Sequence, residues 1–231
     1  LTTMLSHWTN DLRLAFRSLR RSPGFAAVAV VTLALAIGAN VGIFAVIDSV
    51  LLSPLPYAEP DRLVHISASA PGSDFPPEFG VSEEFLIHYG ERSRLLEAVA
   101  GYDTFTNSLR VDDRVERIRQ AIVSRDLWTA LGVPPLHGRM PNPVGETLEV
   151  VISHTLWTNW FGADPAVVGT TVDLFGEQRE IVAVMGPDFW FPGDGTLLWV
   201  TYTPDPADVT PGRFGTDLVA RLSPGADEEA L

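Results

Sequence analysis

The chain has 231 residues and a net charge of −13, and 46% of its residues are apolar. This apolar content is too high for a disordered chain. Cys is absent, which excludes disulfides and thiol-based sites, and Lys is absent, which excludes an ordinary Walker A phosphate loop. The acidic balance, with no basic stripe after residue 21, argues against a nucleic-acid partner.

Residues 1–21 have the pattern of an amphipathic helix. Thr9 or Asn10 can cap it, and apolar residues recur at helical spacing from Leu12 to Leu19. Its cationic face consists of Arg13, Arg17, Arg20 and Arg21. We expect this helix to lie on the cytoplasmic membrane surface, with its arginines among the lipid headgroups. The alternative is that these arginines only set the topology of the chain.

The next segment, from Ser22 to Ile47, is a run of 26 residues without a charged side chain. A helix of this length spans about 39 Å, more than the roughly 30 Å hydrocarbon core of a bilayer. We therefore predict a transmembrane helix over residues 22–50. A cleaved signal peptide is the alternative, because Ala34 to Ala36 read Ala-Leu-Ala, but the apolar run continues well past that site.

Charge differs in sign on the two sides of this run. Residues 1–21 have a balance of +3, which leaves −16 for the rest of the chain. The positive-inside bias then places the N-terminus in the cytoplasm and residues 51–231 on the outer side of the membrane.

Small and polar residues within the run predict contact with another helix. The expected packing seam consists of Ala34, Gly38, Asn40 and Gly42. Small residues four apart let two helix backbones approach closely, and a polar side chain in lipid can hydrogen-bond a neighbouring helix.

Short local patterns predict the first elements of the outer part. A strand is expected around Leu63 to Ile66, and Ser82 can cap a helix that ends near Gly90. A β-hairpin follows, with Asp112 and Asp113 at its turn.

The second half of the outer part has the same mixture of elements. Ser124 can cap a short helix that stops at Gly132, and Ser153 can cap a helix after the buried strand LEVVIS. A second hairpin has Gly176 in its turn, and a strand FGTDLVARL precedes the first turn of a helix at ADEEAL. Strands and helices without strict alternation predict an α+β fold.

No residue pattern has the spacing of a catalytic or metal site. The five histidines form no HExxH motif and no i,i+4 pair; they are His7, His65, His88, His137 and His154. We therefore expect no catalytic, cofactor-binding or metal-binding residue. The tryptophans expected to anchor the core are Trp128, Trp157, Trp160, Trp190 and Trp199. Aromatic residues of DFWFPG can alternatively form a contact patch for a partner or an apolar substrate.

The chain resembles MacB/FtsX-like ABC-transporter permeases, and among them the large duplicated permeases of acidobacterial type. The segments that carry this resemblance are SPGF, LALAIGAN, LLSPLPY, PDRLV, LGVPPLHGR, DFWFP and LVARLSPG. The resemblance implies a first membrane helix in the bacterial inner membrane, followed by a mixed α/β periplasmic core domain of two subdomains.

The same resemblance implies a function and partners. The chain would transmit ATPase-driven motion to the periplasmic domain for efflux or export. ATP would be hydrolysed by a separate cytoplasmic ABC ATPase subunit, so the chain itself would be neither an enzyme nor a cofactor carrier. A second permease copy or half, membrane lipid and a periplasmic adaptor are the other expected partners.

One departure from such permeases is visible in the sequence. No second apolar run of 18 residues follows Asp48, so their three further membrane helices have no counterpart, and we expect an N-terminal part of a permease. The alternatives are a stand-alone, membrane-anchored periplasmic binding or adaptor protein and a membrane-anchored hydrolase. The hydrolase would require an acid–base cluster in a cleft.

Overall fold

The computed structural model describes residue 17 and residues 20–47, 55–142, 149–207, 209–210 and 212–226. The chain divides into two units, Leu1–Pro54 and Leu55–Leu231, which are described separately. Most of the predicted amphipathic helix, including Arg13, lies outside the described residues, and so does the predicted helical turn at ADEEAL. The described arginines of that helix, Arg17, Arg20 and Arg21, have helical backbone.

In the first unit, helix α1 (Pro23–Ile47) contains the whole uncharged run after Ser22. Its length and composition over Pro23–Ala45 suit a membrane span. Each polar side chain makes one hydrogen bond within the helix: the Thr32 hydroxyl donates to the Val28 carbonyl at 2.8 Å, and the Asn40 amide donates to the Ala36 carbonyl at 2.8 Å. The Asn40 amide keeps a second N–H and its oxygen for other partners, so its contact with a neighbouring helix stays a prediction.

In its described residues, the second unit, the core domain, combines ten strands with short helices. The helices are α2 (Glu83–Arg92), α3 (Leu127–Leu131) and α4 (His154–Phe161), with 3-10 turns at Pro60–Arg62 and Pro165–Val167. The strands are β1 (Leu63–Ile66), β2 (Val81–Ser82), β3 (Leu96–Val111), β4 (Arg114–Ser124), β5 (His137–Gly138), β6 (Glu149–Ile152), β7 (Thr171–Leu174), β8 (Glu177–Val184), β9 (Thr196–Tyr202) and β10 (Phe214–Leu222). This content confirms the predicted mixed α and β architecture.

All ten strands belong to one sheet. Its main path runs β1-β10-β3-β4-β9-β6-β8-β5, while β2 pairs with β10 and β7 pairs with both β3 and β8. The pairs β4–β9 and β6–β8 are parallel, and the others are antiparallel. The first and last described strands, β1 and β10, are therefore neighbours at one end of the sheet path.

The two main hydrophobic clusters lie on opposite faces of this sheet. On β4, Ala121 and Val123 belong to the cluster that contains α3, whereas Ile118 belongs to the cluster that contains α4. Successive strand residues point to opposite faces, so each helix covers one side. Trp199 is fully buried in the α3 cluster, and its indole N–H donates to the Phe191 carbonyl at 2.8 Å.

The division of the core into two subdomains, which the resemblance implies, stays a prediction. The long hairpin β3–β4 contributes side chains to both main clusters, and the sheet continues through both. Because the same strands carry both clusters, residues 55–231 cluster as one unit.

Local predictions of turns and caps are mostly confirmed. Both hairpins form where expected; in the second turn Phe175 and Gly176 have φ of 57° and 88°, as a two-residue type I′ turn requires. The Ser153 hydroxyl accepts from the Leu156 N–H at 3.1 Å, which confirms that cap. Helix α3 stops at Gly132, whose φ of 63° is left-handed.

One predicted cap is wrong and another is confirmed in position only. Ser124 remains in β4, where its hydroxyl accepts from the Gly101 N–H at 3.0 Å, and α3 begins after Asp126 instead. Ser82 is the N-cap residue of α2, as predicted, but its buried hydroxyl does not make the capping bond.

Candidate functional site

The segment that leads into β1 lies against β10, the last described strand. Leu63, the first residue of β1, is paired with Arg221 near the end of β10, and Ile66 is paired with Leu218. The two ends of the described domain are therefore adjacent, and the residues around them form the candidate site.

Arg221 is the centre of this site. Its side chain is 4% exposed although it is charged, and it lies within a strand segment whose other residues are buried and apolar. Its Nε donates to the Ala130 carbonyl at 2.7 Å, and its two terminal nitrogens donate to the carbonyls of Glu59, at 3.3 Å, and Ala58. A buried guanidinium is tolerated because its donors are satisfied in this way.

A second arginine, Arg62, belongs to the incoming segment and hydrogen-bonds to β10. The Nε of Arg62 donates to the Leu222 carbonyl at 2.9 Å, and its terminal nitrogens form ion pairs with Glu59 and Glu97. The hydrogen bonds that Arg62 donates to the carboxylates of Glu59 and Glu97 raise the pKa of Arg62. We call Ala58, Glu59, Arg62, Glu97 and Arg221 the terminal clasp, since together they bind the incoming segment to the last strand.

The incoming segment also packs against the end of α3 with no space to spare. The Ala58 N–H donates to the Leu131 carbonyl at 3.1 Å. A Cβ added at Gly132 would lie 2.8 Å from the Cβ of Ala58, closer than side-chain atoms tolerate. Gly132 is thus required twice, for its left-handed φ and for this approach.

Tyr57, one residue before the clasp, is surrounded by aromatic side chains of the segment DFWFPG. Its ring centroid lies 6.3 Å from that of Phe189, 6.0 Å from Trp190 and 6.4 Å from Phe191, and its hydroxyl donates to the Trp190 carbonyl. Burial raises the pKa of Tyr57. Phe189 and Phe191 are core residues, whereas Trp190 is 39% exposed. Of these three side chains, only Trp190 is exposed enough to contact a partner or an apolar substrate. Phe189 and Phe191 instead pack against Tyr57 of the incoming segment.

The other tryptophans are placed as expected for core anchors. Trp128 and Trp157 are buried, Trp199 is fully buried, and Trp160 packs against the α4 cluster. His137 and His154 both contact the ring of Trp157, with centroids 5.0 Å and 5.4 Å apart.

The predicted seam of α1 is only partly consistent with helical geometry. Ala34, Gly38 and Gly42 are spaced four residues apart and share one face. Asn40 is two residues from both glycines, about 200° around the axis, so it lies on the opposite face of the helix. An added Cβ at Gly38 or Gly42 would meet nothing within 4 Å among the described residues, so that face has room for a second helix.

Within the described part of the chain, no group of three or more His, Asp or Glu side chains is arranged to hold a metal ion. The clasp arginines were missed by the sequence reasoning. The available signal was the single Arg in the apolar strand LVARL, since a charge flanked by buried positions must have buried partners.

The family model of the MacB-like periplasmic core domain matches residues 26–231 of this chain. No match is found among curated proteins.

Several solved structures share the fold. The periplasmic region of MacB from Actinobacillus actinomycetemcomitans has a TM-score of 0.56 at 13% identity, over 73% of this chain and 78% of that one. A domain assigned to a permease from Porphyromonas gingivalis has a TM-score of 0.57 at 17% sequence identity, over 76% of this chain and 81% of that one. The extracellular domain of the noncanonic ABC-type transporter YknZ from Gram-positive bacteria has a TM-score of 0.52 at 11% sequence identity, over 70% of this chain and 83% of that one. Because the family model covers most of its length, the chain belongs to the MacB-like periplasmic core domain family of ABC-transporter permeases.

Proposed function

We propose that this chain supplies the first membrane helix and the periplasmic core domain of an ABC transporter permease that drives efflux or export. A separate cytoplasmic ATPase hydrolyses ATP, and the core domain receives the resulting motion. The observation that carries this proposal is the terminal clasp. It fixes the incoming segment to β10 and to α3 through Arg221, so a displacement of that segment moves the sheet instead of bending a hinge.

The proposal includes an orientation and a second copy. The N-terminus lies in the cytoplasm and the core domain in the periplasm, because Arg13, Arg17, Arg20 and Arg21 precede α1 and the rest of the chain is acidic. The face of Ala34, Gly38 and Gly42 packs against a neighbouring membrane helix, which belongs to a second permease copy or half.

Single-cysteine labelling tests the orientation against a clean background, because the chain has no Cys. With Asp113→Cys, in the exposed hairpin turn, we expect a membrane-impermeant maleimide to label intact spheroplasts. With Arg17→Cys we expect labelling only after the membrane is permeabilised. The reverse pattern would show that the core domain is cytoplasmic, and it would contradict the transporter assignment.

Transmission of motion is tested by a flexible insertion. The protein that carries this chain is reconstituted in vesicles with its ABC ATPase, and spin labels at Glu91→Cys, exposed on α2, report the distance between two copies. We expect ATP to change this distance. Three glycines inserted between Leu55 and Pro56 should abolish the change while ATP hydrolysis continues, because the insertion absorbs the displacement before it reaches the clasp.

The matched control inserts the same three glycines between Asp112 and Asp113, in the exposed turn of the first hairpin. This variant should retain the ATP-dependent change in distance. If ATP changes nothing in the unaltered protein, the chain is a stand-alone binding or adaptor protein, and the proposed function is wrong.

A further inference from the structure

A cavity of about 420 Å³ opens on the face of the sheet away from α3. Asp103 and Ile122 are directly paired across β3 and β4, and Phe105 is two residues further along, so the three side chains share this face. The cavity is also lined by Glu83 at the start of α2, by Tyr202 at the end of β9, and by residues around the start of β10. Its volume lies within the range of about 300–1,000 Å³ that is usual for small-molecule sites.

The cavity wall contains two carboxylates, Glu83 and Asp103, beside tyrosine and threonine side chains. Glu83 lies near Tyr202 and, after burial, contributes to raising its pKa, and the Asp103 carboxylate accepts from the Thr104 N–H at 2.8 Å. Burial raises the pKa of Asp103, and the negative charge of Asp217 adds to this rise. Arg213, which also lines the cavity, contributes one positive charge that opposes the charges of the carboxylates.

Two exposed aromatic rings form the rim of the cavity. Phe105 and Phe214, both lining residues, are each 44% exposed. Phe214 makes an edge contact with Phe79 at 5.5 Å between centroids, and Phe75 stacks on Phe79 at 4.7 Å. These contacts hold Phe214 in position and leave part of its ring exposed to a ligand.

The segment that brings Phe75 and Phe79 to this rim is fixed to β10. Ala68 and Phe79 form a β-bridge, and a Cβ added at Gly80 would lie 2.6 Å from the backbone of Gly215. The absence of a side chain at Gly80 therefore allows the two backbones to touch. This contact holds the aromatic rim against the cavity.

We infer that this cavity binds an organic cation, a molecule with one ammonium or guanidinium group on an apolar body. The carboxylates of Glu83 and Asp103 would pair with the charged group, and Phe105 and Phe214 would contact the apolar body and the cation through their ring faces. An anion would meet the two carboxylates of the wall against the single guanidinium of Arg213, and the charge of Asp217, which does not line the cavity, acts on Asp103 from nearby. This inference does not depend on the proposed function, since binding is measured without an ATPase.

The test uses the full chain in nanodiscs and isothermal titration calorimetry with benzyltrimethylammonium. We expect saturable binding of this cation and none of benzylsulfonate, which has a similar apolar body and the opposite charge. Glu83→Gln combined with Asp103→Asn should weaken binding about tenfold or more, which corresponds to about 1.4 kcal/mol. Arg213→Gln should strengthen it, because it removes the one opposing charge.

The matched control is Asp113→Asn, which removes one negative charge at the hairpin turn, outside the cavity lining. It should leave the affinity unchanged. Phe105→Ala, at an exposed position that does not contribute to the core, tests the aromatic wall separately and should also weaken binding. Equal binding of the two probes, equal loss with Asp113→Asn, or no saturable binding of the cation would each overturn the inference.

Discussion

Arg221→Met is expected to lower the free energy of unfolding of the core domain by about 3 kcal/mol. The substitution keeps the apolar stem of the side chain but removes the donors to the carbonyls of Ala130, Glu59 and Ala58. Buried acceptors without partners cost about 1–3 kcal/mol each, and removal of a buried charge offsets part of that loss. Urea denaturation, followed by the near-ultraviolet circular dichroism of the tryptophans, measures the change.

Two further variants make this result interpretable. Arg117→Met, on the exposed side of β4, should change the free energy by less than about 0.5 kcal/mol. Arg221→Lys keeps the charge but lacks the planar fork that reaches three carbonyls, and it should also destabilise the domain. If Arg221→Met is as stable as the unaltered chain, the guanidinium contributes nothing net and the clasp is not a stabilising device.

Gly38→Leu combined with Gly42→Leu is expected to reduce helix association about tenfold, equivalent to about 1.4 kcal/mol. The two leucines would fill the space that an approaching helix backbone requires on that face of α1. The measurement is disulfide cross-linking in membranes through Ala34→Cys, which lies on the same face and is the only cysteine present.

Ala36→Leu is the matched control, because residue 36 is two positions from both Ala34 and Gly38 and lies on the opposite face of the helix. It adds a side chain of the same size and should leave cross-linking unchanged. If the double leucine variant cross-links as well as its parent, the glycines do not form an interface, and the proposed second copy contacts the chain elsewhere.

Features encoded by neighbouring residues could be predicted from the sequence. The turns at Asp112 and Gly176, the cap at Ser153 and the stop at Gly132 each depend on residues within a few positions. The apolar run of α1 was equally local, because its length alone distinguishes it from ordinary helices.

Features that depend on distant residues could not be predicted in the same way. Ser124 looks like a cap in isolation, but its hydroxyl is occupied by Gly101, which is contributed by another strand. The pairing of β1 with β10 joins residues about as far apart in the core domain as the chain allows. Arg221 belongs to this class: the strand pattern shows that its position is buried, but only the fold supplies the carbonyls of Ala58 and Ala130.

The pairing of β1 with β10 determines how the described part of the domain responds to a pull on its two ends. Leu63 begins β1 beside Arg221 at the end of β10, so a force that separates the two ends would unzip this ladder one pair at a time, starting from that pair. Peeling of this kind meets low mechanical resistance, because the bonds break singly. The bonds from Arg62 to Leu222 and from Arg221 to Ala58 lie at the point where such a tear would start. These bonds therefore strengthen the sheet at the pair of residues that would separate first.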